Sequence, residues 1–169
     1  MNDELRSNSV TNLIHQHCKD IWTVLNLGCG LGQHAGGLPA KHQLHVDVWP
    51  QYLDQIKDML PTIKLDITNL SMFVDKSWDV VMCIDVIEHL TKENAEKAIT
   101  EMERIARKKV VLYTPIGFHK QDDGQGWGAG NPEYQAHRCG FTTEEMTAKG
   151  YTSVRSREYP IGQFCVKTL

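Results

Sequence analysis

Residues 21–32 read IWTVLNLGCGLG, and this stretch decides the fold. Its first seven residues form a short apolar run closed by Gly28, which is typical of a buried β-strand. Glycines at alternate positions, Gly28, Gly30 and Gly32, favour a tight turn and let a ligand approach the backbone closely. A dinucleotide fingerprint would place its third glycine where this chain has Gln33. The stretch alone leaves open a plain glycine turn without a ligand.

Outward from this stretch, short apolar segments alternate with helical patterns. A capping box at Thr142 and Glu145 predicts a late helix, and residues 91–107 predict the clearest helix, with Thr91 as its N-cap. The alternation predicts an α/β fold, a doubly wound and mostly parallel seven-stranded sheet with helices on both faces and an antiparallel C-terminal strand. The other predicted segments are an early helix from Val10, a helix over 50–60, strands over 44–48, 63–67, 78–85 and 109–115, and extended runs over 151–159 and 162–169.

Length and composition predict one globular domain over residues 1–169. The chain is 41% hydrophobic and 23% charged, which excludes wholesale disorder. A net charge of −3 offers no electrostatic footprint for nucleic acid or an anionic membrane.

The compartment is predicted from what the sequence lacks. No apolar run approaches the ~20 residues of a membrane span, and the first residues do not resemble a secretory signal. Five scattered cysteines without a Cys-x-x-Cys pair favour free thiols. We therefore expect a cytoplasmic protein.

Polar residues follow the predicted strands at the edge where a doubly wound sheet binds its ligand. Asp47 lies nineteen residues after Gly28, about where a carboxylate would meet ribose hydroxyls. Asp66 and Ile67 end the third strand, where the aspartate could instead cap the following turn. The fourth strand ends in residues 85–90, DVIEHL.

These strand ends resemble those of the class I S-adenosylmethionine-dependent methyltransferases. The G-x-G-x-G turn is similar to their motif I, and residues 85–90 resemble the D-V-x-E-H-[LVI] signature of the methyltransferase type 11, or ubiquinone-biosynthesis-like, group. The resemblance implies a Rossmann-like fold with S-adenosylmethionine as cofactor. Asn26 departs from the family because many members carry an acidic residue there, so the methionine ammonium region would meet an uncharged amide. The cofactor-binding residues that the resemblance implies are Asn26, Gly28, Cys29, Gly30, Gly32, Asp47, Val48, Asp66, Ile67, Asp85 and Val86.

The acceptor is predicted to be a small molecule. The segment from Pro115 to Phe141 lacks periodicity and contains glycines, Trp127 and histidines, so we expect a lid over the acceptor, with a plain connector as the alternative. His89, His119 and His137 are the candidate general bases, since histidine takes a proton near neutrality. No metal site is expected.

The sequence thus predicts methyl transfer from S-adenosylmethionine to an unidentified acceptor. The alternative is a non-catalytic, methyltransferase-like binding module or partner subunit. A nicotinamide dehydrogenase is disfavoured by Gln33 in the fingerprint. No nucleic-acid or membrane partner is expected, and the sequence does not indicate an oligomeric state.

Overall fold

A seven-stranded sheet forms the centre of the chain in a computed structural model that describes residues 9–34, 38–121, 134–156 and 161–169. The strand order is β3-β2-β1-β4-β5-β7-β6. Strands β1 to β5 pair in parallel, and β7 runs antiparallel to both of its neighbours. The predicted fold is therefore confirmed. The strands are β1 (Thr23–Leu27), β2 (His42–Asp47), β3 (Thr62–Lys64), β4 (Trp78–Ile84), β5 (Ala106–Pro115), β6 (Thr152–Arg155) and β7 (Gly162–Thr168).

Helices cover both faces of the sheet, as expected from strands that are apolar on both sides. On β4, Val80 and Met82 pack with α1, while Val81 and Cys83 face the opposite side and pack with α3. Thr91 caps α3, accepting a hydrogen bond from the Asn94 N–H. The helices are α1 (Val10–Cys18), α2 (Pro50–Ile56), α3 (Lys92–Ile105) and α4 (Thr143–Ala148).

The predicted helix over 50–60 and the predicted strand over 63–67 each end at least three residues earlier than the sequence pattern suggests. Helix α2 stops at Ile56 instead of continuing to residue 60, because the Met59 N–H bonds back to the Ile56 carbonyl and tightens the last turn. Met59 is 74% exposed, so burial of its side chain does not extend the helix. Strand β3 stops at Lys64 because Asp66 caps a turn beyond it.

The longest helix in the described ranges is α3, with 14 residues. A bilayer crossing needs ~20 predominantly apolar residues. Within the described part of the chain, no helix has the length and apolar character to cross a membrane. All five cysteines are buried free thiols.

Candidate active site

A cavity of about 730 Å³ opens at the carboxyl ends of β1, β2 and β4. The order of the sheet reverses there, since β1 pairs with β2 on one side and β4 on the other, and doubly wound sheets bind ligands at this position. Its volume lies within the range of small-molecule sites. Ten of the eleven predicted cofactor residues line it, namely Asn26, Gly28, Cys29, Gly30, Asp47, Val48, Asp66, Ile67, Asp85 and Val86.

The glycines of the turn differ in what they are needed for. Gly28 and Gly30 both have positive φ, +67° and +53°. A Cβ on Gly28 would lie 2.4 Å from a Val86 methyl carbon, so the protein's own packing requires a glycine there. A Cβ on Gly30 would meet no described protein atom closer than Gln33 Oε1 at 3.6 Å, because that side faces the cavity. Gly32, the remaining predicted residue, does not line the cavity.

Asp47 ties the glycine turn to the end of β2. The Gly30 N–H donates to Asp47 Oδ2 at 2.9 Å, and the Trp49 N–H donates to Oδ1 at 2.8 Å. Burial raises the pKa of Asp47, and these backbone hydrogen bonds oppose the rise. Each carboxylate oxygen has a second lone pair. The contact to ribose stays a prediction, and the bracing of the turn is an additional task that the sequence did not indicate.

Asn26 enters the cavity wall from the middle of the sheet. Its Nδ2 lies 3.2 Å from His45 Nδ1, and both side chains are buried. Burial lowers the pKa of His45 to about 4, so its ring is neutral at neutral pH. A neutral ring therefore orients the amide that replaces the acidic residue common in the family. Sequence reasoning missed His45 because a histidine inside a predicted strand carries no motif.

Cys29 and Asp66 both line the cavity, and their surroundings limit what each side chain can do. Burial raises the pKa of the Cys29 thiol to about 12, which keeps it protonated and unsuited to nucleophilic attack. Asp66 Oδ1 accepts hydrogen bonds from the Thr68 N–H at 2.9 Å and the Thr68 hydroxyl at 2.8 Å. The capping interpretation of Asp66 is therefore confirmed. Its contact to adenine stays a prediction.

The segment after β4 holds a buried carboxylate that the sequence reasoning did not select. Asp85 has φ +59° and donates its N–H to the Tyr113 carbonyl at 2.8 Å, which turns the chain sharply into residues 87–89. Glu88 is 1% exposed; its Oε2 accepts from the Thr114 hydroxyl at 3.1 Å, and its Oε1 has no hydrogen-bond partner among the described residues. Burial raises the pKa of Glu88 well above its ordinary value, and the nearby Asp85 carboxylate adds to the rise. The only sequence signal was its position in the DVIEHL motif.

The structure brings two of the three predicted histidines together. His89 and His137 line the cavity with ring centroids 5.0 Å apart. His137 Nδ1 lies 2.7 Å from the His119 carbonyl oxygen, and His89 Nδ1 lies 3.3 Å from the Ala136 carbonyl oxygen. Burial lowers the pKa of His89. The His119 ring does not line the cavity and instead bonds to the Ile116 carbonyl at 3.1 Å.

Hydrogen bonds hold the described ends of the predicted lid in place. The His137 N–H donates to the Gln121 carbonyl at 2.9 Å, and the Arg138 N–H donates to the Glu88 carbonyl at 2.8 Å. Phe141 is fully buried. These ends form a wall of the cavity. Trp127 and the glycine tract of the lid prediction lie outside the described residues.

Known proteins with similar sequences include methyltransferase domains. The model of the family described as a methyltransferase domain matches residues 25–114, just over half of the chain. An uncharacterized protein of Methanocaldococcus jannaschii, MJ0638, is 31% identical over 115 residues, which cover 68% of this chain and 49% of that protein. The chain thus spans about half the length of this curated relative.

Solved structures share the fold. The PH0226 protein of Pyrococcus horikoshii superposes with a TM-score of 0.69 at 19% identity, covering 99% of this chain and 92% of that one. A S-adenosylmethionine-dependent methyltransferase of Clostridium acetobutylicum superposes with a TM-score of 0.68 at 12% identity, covering 94% and 90%.

Proposed function

The chain belongs to the methyltransferase domain family and is a class I S-adenosylmethionine-dependent methyltransferase, and on this premise we propose that it methylates a small-molecule acceptor at the histidine end of its cavity. The observation that carries the proposal is that the predicted cofactor residues and the pair His89 and His137 line one cavity. Cofactor and acceptor would therefore share a single cavity.

The residues present fit the cofactor. Gly30 leaves room for a ligand against the backbone, and Asp47 keeps lone pairs for hydroxyl groups at the end of β2. We assign the ribose to Asp47 and the adenine to Asp66 and Ile67. The methionine end would lie toward Asn26 and Asp85, where an amide and an exposed carboxylate line the cavity.

When bound, S-adenosylmethionine supplies a methyl group already activated by its sulfonium. The protein's contribution is to align the acceptor with that methyl group. A carbonyl oxygen cannot donate, so the Nδ1 atoms of His89 and His137 carry the protons in their hydrogen bonds. Each Nε2 then keeps a lone pair, which can accept a hydrogen bond or bind an electrophile at the acceptor end.

A small molecule suits this site better than a nucleic acid. The net charge of −3 provides no broad basic surface for phosphates. The cavity also presents a mixture of apolar and polar side chains, including Leu90, Tyr113 and Gln121, which is typical of small-ligand sites.

The test is a screen of fractionated small metabolites with methyl-labelled S-adenosylmethionine. We expect label in a small-molecule fraction with the wild-type protein and none with Gly30→Val, whose added methyl groups would fill the cofactor space. Far-ultraviolet circular dichroism confirms that the variant is folded. Label found only in protein or nucleic acid would contradict the small-molecule acceptor.

A further inference from the structure

Three metal-ligating side chains meet beside the acceptor end of the cavity. A donor atom from each of Glu88, His89 and His137 lies within 4.8 Å of the other two. His89 and His137 line the cavity, and Glu88 lies behind them, 1% exposed. Two imidazoles and one carboxylate form a donor set that catalytic zinc and non-haem iron sites use.

The histidine rings are oriented as metal ligands usually are. A ligating histidine typically donates its other ring N–H to a carbonyl or carboxylate, which fixes the ring and leaves one nitrogen for the metal. Here Nδ1 of His137 donates to the His119 carbonyl and Nδ1 of His89 to the Ala136 carbonyl, at 2.7 and 3.3 Å. The Nε2 atoms are thus the ones with lone pairs.

The buried carboxylate provides an independent observation. Glu88 Oε1 is buried and no donor group in the described ranges gives it a hydrogen bond, although a buried polar atom without a donor costs free energy. Its other oxygen accepts a hydrogen bond from the Thr114 hydroxyl at 3.1 Å. The exposed Asp85 carboxylate lies nearby and can hydrogen-bond to Glu88 only when one of the two carboxyl groups carries a proton. A divalent cation would displace the proton that the raised pKa of Glu88 favours, give Oε1 a partner and offset the charge of the two carboxylates.

Backbone hydrogen bonds bring together two segments that are far apart in sequence, one with Glu88 and His89 and the other with His137. The Arg138 and Cys139 N–H groups both donate to the Glu88 carbonyl, at 2.8 and 3.1 Å. The Cys139 thiol adds a contact to the Ile87 carbonyl at 3.3 Å. This pairing fixes His137 next to the turn that carries Glu88 and His89.

We propose that Glu88, His89 and His137 bind a divalent first-row transition metal ion at the acceptor end of the cavity. Donors on one ion lie roughly 3–3.5 Å apart at metal–ligand distances near 2.1 Å. Donor atoms up to 4.8 Å apart therefore require the two partly buried rings to move inward on binding. Three protein ligands leave open coordination positions. The assignment replaces the expectation that the chain has no metal site.

A metal ion here also indicates that the acceptor carries a hydroxyl group. This assignment rests on the proposed function. A hydroxyl oxygen at an open position would have its pKa lowered by the cation. The hydroxyl then loses its proton to water, the oxygen lone pair forms a bond to the methyl carbon, and the carbon–sulfur bond breaks with its electron pair going to sulfur. In this arrangement His89 and His137 act as ligands and not as bases.

The experiment titrates metal-free protein with Co²⁺ and follows the visible absorption of the bound ion, with heat measured in parallel. We expect one saturable equivalent in the wild type and at least about tenfold weaker binding in His137→Ala and Glu88→Gln. His42→Ala is the matched control, since His42 is an exposed histidine away from the cavity, and its affinity should equal that of the wild type. Circular dichroism checks the fold of each variant.

The outcomes separate this inference from the proposed function. Absence of saturable Co²⁺ binding, or equal affinity in folded His137→Ala and in the wild type, would overturn the metal site. S-adenosylhomocysteine is titrated into the same wild-type preparation. Protein that binds this product without binding Co²⁺ loses only the metal site, and protein that binds Co²⁺ without binding the product loses only the proposed function.

Discussion

Alanine substitutions at Gly28 and Gly30 should separate a glycine required by packing from one required by the ligand. An alanine at either position adopts positive φ at a cost of ~1–2 kcal/mol. At Gly28 the new methyl also lies 2.4 Å from the Val86 side chain, and such overpacking adds ~1–3 kcal/mol. We expect Gly28→Ala to lose about 2–5 kcal/mol of unfolding free energy and Gly30→Ala about 1–2 kcal/mol.

Urea unfolding measures both losses, and Val86→Ala provides the control. Removing the Val86 methyls relieves the clash, so the pair Gly28→Ala and Val86→Ala should show a favourable coupling of ~1–3 kcal/mol. The pair Gly30→Ala and Val86→Ala should show almost none, because no Val86 atom lies near the Gly30 Cβ position.

Affinity for S-adenosylhomocysteine completes the comparison. Folded Gly30→Ala should bind the product at least about tenfold more weakly, equivalent to ~1.4 kcal/mol, because its methyl group projects into the cavity. Two results would refute the reasoning: equal stability of the two single variants, or wild-type affinity in Gly30→Ala.

Three further predictions concern the surroundings of the cavity and the C-terminal part of the fold. Asp47→Ala leaves the Gly30 and Trp49 N–H groups without their acceptor. Calorimetry should show weaker product binding, and urea unfolding should show a free energy of unfolding lower by about 1–3 kcal/mol. If neither quantity changes, Asp47 does not brace the glycine turn. The pKa of His45 is lowered to about 4 in the fold, so the unfolded chain binds the extra proton and stability falls as the pH drops from about 6.5 to 4, by about 3 kcal/mol. Urea unfolding across this range should show a smaller fall for His45→Gln, and equal pH dependence would count against a neutral buried ring. The Thr142 hydroxyl caps α4 by accepting a hydrogen bond from the Glu145 N–H at 3.2 Å. Thr142→Ala should therefore lower the free energy of unfolding by ~1 kcal/mol without changing the affinity for the product. Weaker product binding would show that α4 is linked to the cavity.

The sequence predicted the fold well because its signals are local. Apolar runs closed by glycine or aspartate located the strands, and the Thr91 cap located the start of α3. Element ends were less predictable, since they depend on tertiary packing. Met59 continues the helical pattern of α2 but is mostly exposed, and the helix stops before it.

The meeting of ten predicted cofactor residues at one cavity was also predictable, because they follow parallel strands whose ends lie at one edge of the sheet. The acceptor side was not. His137 reaches His89 only because the Arg138 and Cys139 N–H groups bond to the Glu88 carbonyl, a pairing across fifty residues that no local pattern indicates. His119 and His137 looked alike in sequence, and the direction of each ring decided which one lines the cavity.

The central claim is that the cavity at the ends of β1, β2 and β4 binds S-adenosylmethionine for methyl transfer. Isothermal titration of the wild-type protein with S-adenosylhomocysteine and, separately, with NAD tests it most directly. We expect one equivalent of the methyltransferase product to bind and no saturable heat with NAD. Saturable binding of NAD, or no binding of S-adenosylhomocysteine by folded protein, would contradict it.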